Sequence, residues 1–406
     1  MSLDRVLEKF NDSGIFALSG NGNYADITSD SVKELVGENL PSGFGEIRAV
    51  LISKSPYCMK WLERNETLIP SLDDMAQIIG TKAVVVDMTG KDELLPADLP
   101  KILGSNAGCF VHKDKCDGRN DDSECESIEA SGYTITVGRT LKEAVVALTV
   151  LEKSAEVTIL AEKIGSPCHI NAIERKLMRT VYLKKYSKPK ESIGSNHLEN
   201  DGSREFMLRQ MLVDYGKKLV AEDLVQGTWG NLSVRLDETH MLVTPSGIDY
   251  MSLSAGDMVK VDINTLEYEG NLKPTSEKGL HAKIYRDRPE IGGAIHTHSK
   301  YCSVFAAARK NLPVLDPNYV DGDPDAFKVI GTKSPADSIG FLDPVKLAKY
   351  ALPGTKGLIK NTAEAISGNY GAILSNHGMI ACGKDLPEAF TNCVRLEALA
   401  KAALDL

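Results

Sequence analysis

A repeated stretch of sequence constrains this chain most strongly. Glu46–Cys58 aligns without gaps on Glu290–Cys302, with Glu, Ile, Ser, Tyr and Cys shared and most apolar positions matched by apolar positions. Further along, Ile135–Ala144 aligns on Ile380–Ala389 at almost the same separation, which chance would not favour. The repeat therefore predicts two copies of one domain. The length of 406 residues agrees, because one ordinary domain is shorter.

The two copies are joined by a segment that lacks apolar periodicity. Residues 185–202 include Pro189, Gly194 and Asn196, which is typical of a linker. We therefore expect a first domain over residues 1–184 and a second over residues 203–406.

Apolar spacing predicts several elements within these domains. Leu141–Ile164 and Arg204–Ala221 carry apolar residues at helical spacing, and a last helix is expected from about Pro387 to Ala403. Ala49–Ile52 and Ala83–Val86 are short apolar runs, which indicate buried strands.

Composition excludes several classes of protein. A hydrophobic share of 42% and a charged share of 25% are globular values. The formal net charge of -9 argues against a nucleic-acid binder, whose surface would be basic. The longest apolar runs are far shorter than a membrane span, and no apolar signal segment opens the sequence. We expect a cytoplasmic protein that binds neither nucleic acid nor membrane.

The second copy carries two histidines at the end of an apolar run. If Gly293-Ala294-Ile295 is a strand, His296 and His298 project from the same face and can bind one metal ion. The aligned positions of the first copy hold Ile52 and Lys54. Because the first copy lacks these histidines, the fold does not need them, and metal chemistry explains them better than packing.

Five motifs of the second half, in this order, resemble the class II aldolase and adducin family, which includes fuculose-phosphate aldolase. The motifs are Gly227–Ser233, Thr244–Gly247, Thr275–Glu277, His296–His298 and Asn376–Gly378. The resemblance covers about Ser203 to the last residue and, more faintly, the first half. It implies an α/β chain of the α+β type with two domains, each a mostly antiparallel sheet flanked by helices. The first would be a degenerate copy without metal ligands.

The resemblance also implies a metal centre. His296, His298 and His377 would bind a catalytic divalent metal, usually zinc (Zn2+). Three neutral imidazoles suit zinc and leave positions for substrate oxygens. Glu277 would be the acid/base residue, moving a proton at the carbon beside a carbonyl while the cation stabilises the enediolate. A glutamate at a helix start is also an ordinary favourable interaction with the helix dipole. We interpret His281, one helical turn after Glu277, as structural or as a neighbour of the site.

Five residues match the family's phosphate-binding positions: Asn231, Ser246, Gly247, Thr275 and Ser276. Hydroxyl groups and backbone N–H groups at turns and at a helix start can hold an anion without a lysine. Turn chemistry alone is the alternative, since Asn, Ser and Gly are common in turns. Ser276 is also a plausible N-cap of the helix that follows.

The resemblance therefore implies a zinc-dependent aldehyde-lyase that acts on a ketose phosphate or a related hydroxy-carbonyl compound. Dehydration, decarboxylation or 4-epimerisation of a sugar phosphate on the same fold are the alternatives, although Glu rather than Asp at position 277 favours cleavage or dehydration. An adducin-like interaction module without a metal is the alternative from another class. The family's four-fold rings imply a homo-oligomer, and Tyr319 is a candidate proton donor.

Overall fold

The structure is a computed structural model that describes residues 16–18, 24–26, 49–88, 99–112, 132–185, 198, 200–225, 228–313 and 344–404. Backbone contacts divide the chain into two compact units. The first unit comprises Ser2–Ile159 and His169–Ser187, and the second comprises Leu160–Cys168 and Lys188–Leu406, with Met1 grouped with the second. None of the described helices combines the length and the apolar character that a bilayer crossing requires.

The first unit contains a six-stranded sheet. Its strands are β1 (Phe16–Leu18), β2 (Tyr24–Asp26), β3 (Ala49–Ser53), β4 (Val85–Asp87), β5 (Gly108–His112) and β6 (Gly132–Gly138). The strand order is β2-β1-β3-β6-β5-β4, and every pair is antiparallel except β4 with β5. The helices are α1 (Pro56–Leu62), α2 (Asp73–Ile78), α3 (Leu99–Leu103), α4 (Leu141–Ile164) and α5 (Ala172–Lys185). The predicted bounds of α4 are confirmed, and β4 begins two residues later than expected.

The second unit contains a seven-stranded sheet. Its strands are β7 (Asn231–Arg235), β8 (His240–Val243), β9 (Val259–Asp262), β10 (Gly293–Thr297), β11 (Leu347–Ala348), β12 (Gly371–Leu374) and β13 (Gly378–Gly383). The order is β11-β12-β13-β10-β7-β8-β9, and β11 with β12 is the parallel pair. The helices are α6 (Arg204–Ala221), α7 (Lys278–Asp287), α8 (Lys300–Ala308), α9 (Lys356–Ile366) and α10 (Leu386–Ala402). Mostly antiparallel sheets flanked by helices confirm the predicted fold class.

The core of the second unit places α7 beside the central strands. Side chains from β8, β9, β10, β12 and β13 form one buried apolar cluster with side chains from α7 and α9. Ala294 on β10 belongs to this cluster together with Leu280 and Ile284 on α7. Because side chains alternate along a strand, His296 projects on the same side of the sheet as Ala294. The start of α7 is thereby brought to the position of the histidines.

The central strand pair has the same register in both units. Ala49 lies opposite Gly138 in the first sheet, and Gly293 lies opposite Gly383 in the second. These are the positions that the sequence alignment equates. Gly138 on β6 and Gly383 on β13 share a packing constraint, because a Cβ at either position would lie 2.5 Å from a backbone nitrogen in the following helix.

A glutamate from a later helix anchors the helix after the central strand in each unit. Glu152 on α4 accepts hydrogen bonds from Ser55 Oγ and from the backbone N–H groups of Tyr57 and Cys58. Glu397 on α10 accepts the equivalent bonds from Ser299 Oγ, Tyr301 N and Cys302 N. A carboxylate at a helix N-terminus satisfies N–H groups that have no partner within the helix.

Candidate active site

Two of the predicted metal ligands lie on or just after β10. His296 is buried within the strand, between β7 on one side and β13 on the other, and His298 is partly buried just beyond its end. The Nε2 atoms of the two histidines are 3.0 Å apart. The structure therefore places both imidazoles together at one end of β10, as expected for two side chains on the same face of a strand.

The third predicted ligand is presented by the tight turn between β12 and β13. His377 follows Asn376, whose φ of 60° is in the left-handed region, and it precedes Gly378. A Cβ on Gly378 would lie 2.3 Å from Thr297 O, so only glycine allows the turn to approach β10 this closely. The His377 ring stacks on the His296 ring with centroids 4.7 Å apart.

The three imidazoles fit a divalent metal by their chemistry. The ligand nitrogens of His296, His298 and His377 all lie within 4.8 Å of one another. His296 Nδ1 is 2.8 Å from the carbonyl oxygen of Met379, which can only accept, so Nδ1 carries the proton and Nε2 presents its lone pair to the cluster. Burial holds the pKa of His296 well below its usual range, and a metal requires this neutral form. A set of three neutral imidazoles suits zinc.

Glu277 lies against this cluster. Its Oε1 is 3.0 Å from His377 Nε2 and its Oε2 is 3.3 Å from His296 Nε2, in a buried position. Burial alone would raise the pKa of Glu277, but the neighbouring His296 and His377 outweigh burial and hold this pKa well below its usual range. The carboxylate is therefore ionised, as a proton acceptor must be.

The start of α7 differs from the prediction. The helix begins at Lys278, so Glu277 occupies the N-cap position, and the expectation that Ser276 is the N-cap is wrong. Thr275 explains the difference, because its Oγ1 lies 3.2 Å from the backbone N–H of Glu277 and accepts it as a hydrogen bond. Ser276 is exposed on the turn before the helix.

Asn231 connects Glu277 to a second buried histidine. It lies directly opposite His296 in the β7–β10 pair, and its Nδ2 donates to Glu277 Oε2 at 2.9 Å. Its Oδ1 faces His281 Nε2 on α7. The predicted phosphate ligand Asn231 thus has its amide directed at the carboxylate and at His281.

Ser233 and Tyr285 extend this connection, and neither was assigned a role in the site from the sequence. Ser233 Oγ is 2.6 Å from His281 Nδ1 and 2.8 Å from Tyr285 OH. A signal was available, because Glu277, His281 and Tyr285 recur at a spacing of four along α7 and therefore share one face. The spacing alone could not show that this face meets the polar side of β7.

The other four predicted phosphate ligands are brought together by two adjacent turns. Pro245 and Pro274 form an antiparallel bridge, Thr275 N donates to Thr244 O, and Ser246 N donates to Lys273 O. Ser246 and Gly247 therefore lie beside Thr275 and Ser276. Gly247 has a φ of 76°, which favours glycine. Because the N–H groups of Ser246 and Thr275 bond to carbonyls, these two residues would offer hydroxyls to an anion.

Residues 186–197 and 199 of the predicted linker lie outside the described residues, and so do two residues named in connection with the site. They are Gly227, at the start of the first motif, and Tyr319, the candidate proton donor. The role of Tyr319 stays a prediction.

Comparison with known proteins identifies relatives of the second half. The model of the Class II Aldolase and Adducin N-terminal domain matches residues 210–404. A 5-methylthioribulose-1-phosphate/5-deoxyribulose-1-phosphate aldolase of Rhodospirillum rubrum is 32% identical over 200 residues, which is 49% of this chain and 81% of the relative. A 5-deoxy-D-ribulose 1-phosphate aldolase of Bacillus thuringiensis serovar kurstaki is 31% identical over 195 residues, 48% of this chain and 82% of the relative.

A solved structure of an L-fuculose 1-phosphate aldolase shares 35% sequence identity with a TM-score of 0.40, over 51% of this chain and 87% of that one. The identity to the R. rubrum aldolase extends over most of that enzyme's length. The chain therefore belongs to the class II aldolase family of lyases.

Proposed function

We propose that the second half catalyses metal-dependent aldol cleavage, and the reverse condensation, of a ketose 1-phosphate. One observation carries the proposal: an ionised, buried carboxylate lies 3.0 and 3.3 Å from two of the three imidazoles that can share a metal. A base beside a cation is what the formation of an enediolate requires. The relatives' names support a substrate such as 5-deoxyribulose 1-phosphate.

His296, His298 and His377 would hold the metal, which when bound supplies positive charge beside the ketone oxygen and lowers the cost of forming an enediolate. In the condensation direction, Glu277 removes a proton from the carbon next to the ketone. That carbon then forms the new bond to the aldehyde carbon, and the aldehyde oxygen takes up a proton. In the cleavage direction the C4 hydroxyl gives up a proton and the bond between C3 and C4 breaks. C3 of the resulting enediolate then takes up a proton through the carboxyl group of Glu277. Tyr319 is the predicted donor of the proton that the aldehyde oxygen takes up.

The two adjacent turns would hold the phosphate group. Thr275 and Ser276 precede α7, where the partial positive charge of the helix N-terminus favours an anion. Ser246 and Gly247 lie beside them on the other turn. In this proposal Ser246, Thr275 and Ser276 supply hydroxyl donors, and Gly247 allows close approach because it has no side chain.

Cleavage assays on metal-loaded protein test the proposal. Zinc-loaded wild-type protein should release dihydroxyacetone phosphate from 5-deoxyribulose 1-phosphate, because breaking the bond between C3 and C4 of a ketose 1-phosphate leaves that product. His298→Ala should lower both the bound zinc and the rate, and Glu238→Gln on the surface is the matched control. Parallel assays for dehydration, decarboxylation and 4-epimerisation distinguish the other reactions of this fold. A preparation that cannot be loaded with a divalent metal would support the adducin-like role instead.

We also propose that the first half is a copy of the second without a metal site. The shared strand register and the equivalent Glu152 and Glu397 anchors support this. In the first sheet Phe16 lies opposite Ile52, where the second has Asn231 opposite His296. In this proposal residues 1–184 and 203–406 are the two domains, with residues 185–202 between them.

The proposal includes a homo-oligomer, based on the rings that the family forms. Two chains would supply four domains, enough for one ring. Light scattering of the purified chain measures this directly, and a stable monomer at assay concentration would contradict it.

A further inference from the structure

A chain of hydrogen bonds leads from Glu277 into the interior of the second unit. It consists of four contacts: Glu277 Oε2 to Asn231 Nδ2 at 2.9 Å, Asn231 Oδ1 to His281 Nε2 at 2.5 Å, His281 Nδ1 to Ser233 Oγ at 2.6 Å, and Ser233 Oγ to Tyr285 OH at 2.8 Å. All five side chains are at most 6% exposed. Buried polar groups are costly unless each has a partner, so a network of this kind is structurally demanding.

With a neutral His281 ring, one arrangement of protons satisfies every contact. The amide nitrogen of Asn231 faces Glu277 and donates to its Oε2, which accepts. The amide oxygen then faces His281, so His281 Nε2 must carry a proton and donate it. His281 Nδ1 consequently accepts from the Ser233 hydroxyl, and Tyr285 donates to Ser233.

The state of His281 agrees with this arrangement. Burial lowers the pKa of His281 to about 4, against a smaller opposite effect of the Glu277 charge. The ring is therefore neutral near pH 7 and carries a single N–H. Ser233 and Tyr285 determine which ring nitrogen carries this proton. Because Ser233 Oγ accepts a hydrogen bond from Tyr285 OH, its own O–H is free to donate to His281 Nδ1, which leaves the ring proton on Nε2.

We propose that His281 is a positioning residue that acts on Glu277 through Asn231. An asparagine amide can turn by half a rotation, which would place its oxygen against the carboxylate of Glu277. The N–H of His281 disfavours the turned form, because that form would also set two N–H groups against each other. Asn231 is thereby held as a donor to Oε2, and Oε1, which faces His377, is the oxygen that exchanges a proton with the substrate. This inference rests on the proposed function of Glu277.

Two substitutions of His281 provide a matched test. In His281→Gln the side-chain amide reaches the position of Nε2 and can donate to Asn231. In His281→Asn the shorter amide reaches only the position of Nδ1, so it can contact Ser233 but not Asn231. Both variants introduce the same functional group at the same buried position, and they differ in the one contact that the proposal requires.

The rate of ketose phosphate cleavage should separate the two variants. We expect kcat to fall about 100-fold in His281→Asn, because a misplaced base costs about two orders of magnitude in rate. In His281→Gln, which keeps the bond to Asn231, kcat should fall by less than about threefold. KM should change little in either, because the phosphate turns are unaltered. Exchange of the C3 proton of dihydroxyacetone phosphate with heavy water, measured without aldehyde, isolates the Glu277 step and should show the same difference. His240→Gln on β8 is the control histidine substitution.

A readout without substrate keeps the inference separate from the proposed function. Nitrogen NMR of protein labelled with 15N-histidine reports which ring nitrogen is protonated, and we expect His281 to show a proton on Nε2 in both zinc-loaded and metal-free protein. Ser233→Ala should convert this signal into a mixture of the two tautomers, because Nδ1 then has no hydroxyl donor.

Each outcome decides one proposal. If the wild type binds zinc but cleaves none of the sugar phosphates, the proposed function fails, and the tautomer measurement still tests the proton arrangement. Wild-type kcat in His281→Asn, with zinc content and fold retained, would overturn the positioning role. A proton on Nδ1 of His281 would overturn it as well. Equal losses in both variants would reduce His281 to a structural residue.

Discussion

At the scale of single residues, Glu277 is the proposed base, and its neighbours set its protonation state. The carboxylate lies beside two imidazoles and accepts an N–H from Asn231, so it is held ionised despite full burial. Desolvation raises a carboxyl pKa, and contacts that favour the charged form lower it; here the contacts with His296, His377 and Asn231 prevail. A bound divalent metal would lower this pKa further.

Glu277→Gln removes the base while keeping its shape. We expect kcat to fall by about 10²- to 10⁴-fold, because a carboxamide cannot take up the substrate proton. Zinc content should stay at the wild-type level, since the three histidines are unchanged. Parallel measurement of zinc by atomic absorption and of cleavage rate checks both expectations. Full activity in this variant would remove Glu277 from the mechanism.

His281 makes stability depend on pH. Its pKa is about 4 in the folded chain and about 6.5 in an unfolded one, so below pH 6.5 the unfolded chain binds the extra proton. Stability should therefore be fully present above pH 6.5 and be lost as the pH falls toward 4, by about 2 kcal/mol between pH 7 and pH 5. Urea unfolding of metal-free protein at both pH values measures the loss.

The control is His281→Gln, which has no titrating group at this position. Its loss of stability over the same interval should be smaller than that of the wild type by about the same 2 kcal/mol. Identical losses would show that His281 is already protonated, or never protonated, across this range.

At the scale of elements, both units rely on the same device to begin the helix after the central strand. The carboxylate of Glu397 accepts three hydrogen bonds at the start of α8. In Glu397→Gln one of its two oxygens becomes an NH2 group, which cannot accept and would face the backbone N–H groups. We expect a loss of about 1–3 kcal/mol in unfolding free energy, the cost of buried groups left without partners. Glu238→Gln on the surface is the control, and unchanged stability of the Glu397 variant would show that the anchor is dispensable.

Regular periodicity made some elements predictable and left others out of reach. Leu141–Ile164 and Arg204–Ala221 are helices over the predicted bounds, because their apolar residues recur at helical spacing. The N-cap of α7 was misplaced by one residue, because Ser276 is a good capping residue by type, whereas the helix begins only after Glu277. The contact of Asn231 with Glu277 joins residues 46 positions apart, and no local pattern indicates it.

At the scale of the whole molecule, the chain combines two sheets of similar topology with one cluster of candidate ligands among the described residues. The first sheet has Ile52 opposite Ile135 where the second has His296 opposite Ile380. The scaffold is therefore compatible with an aliphatic side chain at the ligand position. Because the fold does not require histidine at this position, the histidines of the second half indicate a function rather than a packing need.

The number of metal ions per chain tests this asymmetry. We expect one zinc ion per chain after loading and dialysis, bound by His296, His298 and His377. His377→Ala should reduce the bound zinc well below one, whereas Lys54→Ala in the first unit should leave it unchanged. Two ions per chain in the wild type would show that the first half binds metal as well.

The bond from His296 Nδ1 to the carbonyl of Met379 has a consequence for how the site tolerates change during evolution. The acceptor belongs to the main chain, so no substitution at position 379 can delete it. The orientation of the His296 ring is set by the pairing of β10 with β13, which places Met379 beside this histidine. Divergence can thus alter the side chain at 379 freely, whereas a slip of one residue between these strands would turn the histidine to the other face of the sheet. The orientation of this ligand therefore depends on the register of β10 and β13 and not on the side chain at position 379.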